Sequence, residues 1–196
     1  MFGSSAPVAV SSLATSTTVR PLVSVTRDGV SSYEIATPFS GTPIRGIQFD
    51  YEFLGAAVGK VAIGTESNDF FNLLAGDDAA AGGAGNDILD GGIGSNFLNG
   101  NEGTDTFFLD GRGGTVTWST ITDWTAGEQL SVWGWKANSR VVVWREDGAA
   151  EYTGITMHAD LNNDGTIDTS VTWTGQTQAG LPTPGEYAPQ ELLWFT

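Results

Sequence analysis

A chain of 196 residues suffices for one ordinary domain or two small ones, and 40% apolar content with 7 Trp and 10 Phe is globular rather than disordered. Eight Lys and Arg against 23 Asp and Glu leave a formal charge of −15, which weighs against nucleic acid and anionic membranes as partners, since both need clustered basic side chains. With no cysteine, disulfides and thiolate metal sites are excluded, and no run approaches the ~18 apolar residues of a membrane-spanning helix, so membrane insertion is not expected.

Residues 1–20 are rich in Ser, Thr, Ala and Val and show no period, so they read as a flexible arm or as an extended strand that docks on a sheet edge. They lack the basic start and continuous apolar run of a secretory signal, and export by a cleaved N-terminal signal is not expected. Residues 22–26 and 30–35 are β-prone and separated by Arg27-Asp28-Gly29, a hairpin signal. After Pro38, Gly41 and Pro43, an alternation sets Ile47, Phe49, Tyr51 and Phe53 on one side and Gln48, Asp50 and Glu52 on the other, which predicts a half-buried strand. Residues 60–63 lead into a glycine-rich stretch, and residues 21–63 together read as a β cap.

Residues 64–108 organise the chain. Laid out in nines they read GTESNDFFN, LLAGDDAAA, GGAGNDILD, GGIGSNFLN and GNEGTDTFF. The sixth residue is Asp69, Asp78, Asp87, Asn96 and Asp105; the eighth is Phe71, Ala80, Leu89, Leu98 and Phe107; the fourth is Ser67 and then Gly76, Gly85, Gly94 and Gly103. A fixed period of this kind means a small unit stacked on copies of itself, here a glycine-rich turn followed by a brief strand. From residue 61 to 111 there is no Lys or Arg, while Glu66, Asp69, Asp77, Asp78, Asp87, Asp90, Glu102, Asp105 and Asp110 fall inside. Stacking such acids is unfavourable unless cations are bound. The eighth-position row is too small to offset the conformational entropy of a glycine-rich segment, so the cation must contribute folding free energy.

The pattern G-G-x-G-x-D-x-apolar-x resembles the calcium-binding nonapeptide of RTX proteins. The third block matches throughout, the fourth has Asn96 for Asp, the fifth has Asn101 for the second glycine, and the first two depart at the leading glycines. The resemblance implies a parallel β-roll over residues 64–114, with two nonapeptides per coil and calcium between coils. By register, Asp69, Asp87 and Asp105 would line one edge and give two sites; Asp78 and Asn96 would line the other and give a weaker one. The family's carbonyl ligands map onto Gly82, Ala84, Gly91, Ile93, Gly100 and Glu102, for about two to four ions in all. The charge and the glycine content predict a roll that is disordered without calcium and folds at about 0.1–1 mM, the range of extracellular modules; the resemblance implies export through a type I secretion channel on an uncleaved C-terminal signal. The apolar residues 192–195 suit such a signal, a final core strand, or both.

Beyond the repeats, residues 115–118, 131–135 and 141–144 are β-prone. Ile121-Thr122-Asp123-Trp124 with Gly127-Glu128-Gln129-Leu130 is similar to the I-x-D-F…G-x-D-x-L segment that follows the roll in serralysin-like secreted proteins, with Glu128-Gln129 where that family commonly has Asp. Residues 152–159 and 166–173 flank a turn in which Asp160, Asn162, Asp164, Gly165 and Asp168 follow an EF-hand-type loop; Val171 stands where its last acid is required, and a plain Asx/Gly turn explains the same residues. His158, the only histidine, excludes a multi-histidine zinc site and reads as a buried or edge residue. The Trp residues are core or a carbohydrate-stacking platform, with Trp133 and Trp135 expected on one strand face. Residues 115–196 thus read as a β-sandwich-like region carrying the secretion signal, and the whole chain as all-β.

The repeats and their caps leave little sequence for a catalytic domain. The expected function is therefore a non-enzymatic, extracellular calcium-binding protein in a structural, surface-layer or adhesive role, with self-association or a cell-surface glycan as partner besides calcium. The alternatives are a small secreted carbohydrate-active enzyme or carbohydrate-binding module, and a filament subunit assembled by N-terminal strand exchange.

Overall fold

A nonapeptide that is glycine and acid in one half and alternating in the other folds as a turn and one short strand. Each block does so in the computed structural model, which describes residues 22–27, 30–35, 37–44, 46–181 and 192–195. The arm, residues 1–20, lies outside the described residues. The strands are β1 (Leu22–Arg27), β2 (Val30–Ile35), β3 (Thr37–Pro38), β4 (Tyr51–Ala56), β5 (Val61–Ile63), β6 (Asp69–Leu74), β7 (Ala79–Ala84), β8 (Ile88–Ile93), β9 (Phe97–Glu102), β10 (Thr106–Asp110), β11 (Thr117–Ile121), β12 (Gln129–Trp133), β13 (Arg140–Asp147), β14 (Gly154–Asp160), β15 (Thr169–Thr174) and β16 (Leu192–Phe195). They form a seven-stranded sheet, β16-β12-β10-β8-β6-β4-β3, and a nine-stranded sheet, β13-β14-β15-β11-β9-β7-β5-β1-β2. The fold is an all-β roll.

Consecutive repeat strands alternate between sheets, and each pairs in parallel with the next but one. Phe71 thus stacks beside Leu89 and Leu89 beside Phe107 in one sheet, while Ala80 stacks beside Leu98 in the other. All five are buried in one continuous core. The alanines are placed by packing: the large column Phe53, Phe71, Leu89 and Phe107 shares its core with Ala62 and Ala80, so large and small side chains fill the space between layers without overlap.

The coil geometry begins two blocks before the visible period. β4 pairs with β6 at Tyr51–Asp69 and β5 pairs with β7 at Val61–Ala79, in the same parallel manner as the repeats. Blocks 46–54 and 55–63 therefore put Tyr51 and Lys60 at the sixth position and Phe53 and Ala62 at the eighth. The alternation over 47–53 does not form one strand. Ile44 and Ile47 bridge each other around Gly46, whose φ of +82° turns the chain, and Phe49 is buried against Phe39 and Phe70. The expected hairpin forms as β1 and β2, and β1 also pairs with β5.

The C-terminal strands continue both layers. β11 lies parallel to β9, and β12 lies parallel to β10. β13, β14 and β15 form an antiparallel meander at one end of the nine-stranded sheet, and β16 pairs antiparallel with β12 at the edge of the other. Trp173 is fully buried there, stacked on Trp144 at 5.8 Å and edge-on to Trp124 at 6.2 Å. Trp173→Ala is expected to cost about 3–5 kcal/mol in urea unfolding at saturating calcium, the range for emptying a core aromatic site; a loss under about 1 kcal/mol, well below that range, would contradict the packing.

Candidate metal centre

The turns of the roll form two edges, and the sixth-position side chains fold inward along each. On the long edge Asp69, Asp87 and Asp105 are buried, and the last two tie down the coil before them: the Asp69 N–H donates to Asp87 Oδ1 and the Asp87 N–H to Asp105 Oδ1, both at 2.8 Å, while Asp69 Oδ2 accepts from the Thr65 N–H of its own block at 2.6 Å. On the short edge the Asp78 N–H donates to Asn96 Oδ1 at 3.0 Å, and the Lys60 N–H to Asp78 Oδ1 at 2.8 Å. One carboxylate oxygen per acid is thus used as structure.

The other is not. Asp69 Oδ1, Asp78 Oδ2, Asp87 Oδ2 and Asp105 Oδ2 are buried without a hydrogen-bond partner. A buried, unpaired carboxylate oxygen is costly unless a cation or proton meets it. Burial is the main reason the Asp87 carboxyl is pushed up to about 8, with the charges of Asp105 and Asp69 adding to it. Burial likewise lifts Asp69 and Asp105 to about 6.

On the long edge the first-position glycines Gly64, Gly82 and Gly100 make this possible. A Cβ on Gly82 would overlap Asp87 Oδ2 and lie 2.8 Å from the Gly100 carbonyl oxygen; one on Gly100 would overlap Asp105 Oδ2. The missing side chains bring carboxylate and carbonyl oxygens together, the donor set a hard cation of flexible geometry takes. Among the described residues no three acidic or histidine side chains converge, so a cation here would draw on backbone carbonyls beside one or two carboxylates. The residues present fit calcium. Of the carbonyl positions mapped from the sequence, Gly82 and Gly100 lie at these carboxylates. Ile93 and Glu102 already accept from the Gly76 and Gly85 N–H groups, which leaves each a second lone pair. Ala84 ends β7, its N–H donating to the Thr65 carbonyl, and Gly91 packs against the side chain of Asn96.

Glu128 extends the long edge. Gln129 N–H donates to the Asp105 carbonyl, so Glu128 follows Asp105 along the row; it is fully buried, its Oε2 accepts from the Thr125 N–H and its Oε1 has no partner. Burial, then the charges of Asp105 and Asp123, push it up to about 7. Its position where an Asp is usual was the only sequence signal.

The other candidates are engaged elsewhere. His158 is buried; its Nε2 accepts from Arg145 Nε at 3.1 Å, which puts its proton on Nδ1, 2.8 Å from Ser170 Oγ, itself buried. Asp160 accepts from the Asp164 and Gly165 N–H groups and from the Arg140 guanidinium, and Asp168 from the Leu161 N–H, as a hairpin turn requires. Trp124, Trp135 and Trp173 are core, and Trp118 donates to Thr172 Oγ1. Trp133 and Trp135 do not share a strand face: β12 ends at Trp133 and Gly134, with φ of +94°, turns the chain, leaving Trp133 under the Arg112 guanidinium and Trp135 buried.

Residues 61–89, 74–107 and 81–114 match the family described as the RTX calcium-binding nonapeptide repeat (4 copies). No curated protein matches the chain. Among the described residues no helix is long and apolar enough to cross a membrane.

Proposed function

We propose, from the match of residues 61–114 to the RTX calcium-binding nonapeptide repeat, that the chain is a non-enzymatic extracellular protein whose roll folds when calcium fills its long edge. One ion lies between the Asp69 and Asp87 coils and one between the Asp87 and Asp105 coils. The observation that carries this reading is the row of buried, partnerless oxygens Asp69 Oδ1, Asp87 Oδ2 and Asp105 Oδ2. Ionised and without a counterion, that row opposes folding; with calcium it joins coil to coil.

Dependence on calcium suits a chain that stays unfolded where the ion is scarce, passes a secretion channel and folds outside. The role favoured is structural or adhesive. It is supported by an exposed apolar strip on the outer face of the nine-stranded sheet, formed by Val61, Ile63 and Phe97, with Tyr152 edge-on to Phe97 at 5.1 Å. Engagement of His158 and the core placement of Trp124, Trp135 and Trp173 weigh against a catalytic or carbohydrate-stacking site.

Titrating calcium into EGTA-treated protein is expected to raise the far-UV CD β signal with a midpoint of about 0.1–1 mM. Equal spectra in EGTA and in excess calcium would overturn the proposal.

A further inference from the structure

The two edges of the roll are not chemically equivalent. On the long edge, Asp87 Oδ2 and Asp105 Oδ2 lie against Gly82 and Gly100 with no partner, and the sixth positions carry three carboxylates. On the short edge Asp78 Oδ2 is likewise without a partner, but the carboxylate it belongs to already holds an ammonium through Oδ1, and the fourth block carries an amide in place of an acid. In the second block, the first-position carbonyl of Leu73 and Asp78 Oδ1 both receive the Lys60 ammonium, at 2.8 Å each. Both side chains of this ion pair are fully buried. In the fourth block Asn96 Oδ1 accepts from the Asp78 N–H, which turns its amide nitrogen toward Gly91, 2.7 Å from where a Cβ would lie, and 3.4 Å from the Gly94 carbonyl. Lys60, Asp78 and Asn96 carry +1, −1 and 0, so this row is neutral as it stands.

We propose that the short edge supplies its own cation: the Lys60 ammonium stands in for a calcium ion at Asp78, the Asn96 amide removes the need for one in the fourth block, and calcium dependence is confined to the long edge. Lys60 occupies the sixth position of a block that the nine-residue period does not reveal, and its side chain reaches one coil onward. A flexible stem tipped by three N–H donors meets the carboxylate and carbonyl oxygens of that turn as a bound cation would, and a tethered ammonium pays no binding entropy and needs no dissolved ion. A buried charge pair with each partner also bonded to backbone is the form in which such a pair holds. This inference rests on the calcium reading of the long edge.

The test counts calcium per chain, by equilibrium dialysis and atomic emission, on the full-length protein and on Lys60→Ala and Lys60→Asp. Both variants are expected to bind one equivalent more than the parent, since each opens the oxygens of Leu73 and Asp78 to an ion, and to need a higher calcium concentration for half-folding. Equal, non-zero counts in all three would overturn the role of Lys60 alone; zero calcium on every form would overturn the calcium reading beneath it. Should neither variant fold, Asp78→Asn decides. It keeps the acceptor for the Lys60 N–H and strands the ammonium, so its loss in melting temperature is expected to persist in a tenfold excess of calcium. Restoration by calcium would show that Asp78 served a calcium ion instead.

Discussion

Asp87→Asn is expected to raise the calcium concentration for half-folding by more than about tenfold, while making the calcium-free chain easier to fold. Asp87 stands between Asp69 and Asp105, so its carboxylate serves both proposed long-edge ions. Asparagine keeps an oxygen for the Asp69 N–H, the bond that ties the coils at 2.8 Å, and removes only the charge. The calcium-free half of the prediction has a definite sign. In the fold the Asp87 carboxyl is raised to about 8 from an ordinary 3.8, so between those values the folded chain binds a proton that the unfolded chain has released. Its stabilising share is fully present below pH 3.8 and is lost as pH rises through about 8. Asparagine has no such dependence. In EGTA with a stabilising osmolyte, the β signal of the variant should therefore exceed that of the parent at pH 8 and approach it at pH 4. A variant with the parent's calcium midpoint would remove Asp87 from the site.

Gly94→Ala should cost about 2–6 kcal/mol at saturating calcium, the sum of a strained backbone and an overpacked contact. Gly94 has φ of +145°, and a Cβ there would overlap the carbonyl oxygen of Gly76, one coil earlier. Neither problem can relax alone, because the Gly76 N–H is bonded to the Ile93 carbonyl next to it. Gly165→Ala is the control: its φ of +95° imposes strain, but nothing lies within 4 Å, so only the backbone share is expected. If urea unfolding gave the two substitutions equal costs, the close stacking of coils at the fourth position would not be limiting.

The repeats were legible because each position has one physical task. The eighth is apolar, the fourth takes a positive φ at Gly76, Gly85, Gly94 and Gly103, and the sixth reaches back one coil at Asp78, Asp87, Asn96 and Asp105. Those tasks recur every nine residues, so a stack of short strands with one apolar residue each followed from the pattern; the pairing of each block with the next but one, and with it the two acid rows, followed from the resemblance to RTX nonapeptides. The hairpin of β1 and β2 was legible for a similar, local reason. The strand expected over 47–53 failed because periodicity says which side a residue faces but not whether the chain keeps straight, and Gly46 turns it. Trp133 and Trp135 failed as a pair at Gly134 in the same way.

Lys60 and Asn96 show where the sequence stops. By itself it determined that the roll concentrates negative charge and needs cations, since charge and period are properties of the chain. Which cation meets which acid is decided only when residues 18 apart come together. Lys60 lies in a block without the glycine–acid signature, so nothing local marks it as a partner of Asp78; register alone carries its ammonium onto that carboxylate. Asn96 reads as a weakened acid, yet the N–H of Asp78 takes its only oxygen and turns its nitrogen to the site. Glu128 likewise enters the long row only because β12 docks beside β10. The sequence determined how much charge must be neutralised, and the tertiary structure decided which edge does so from within, because through-space pairing depends on register between coils and not on the order of residues along them.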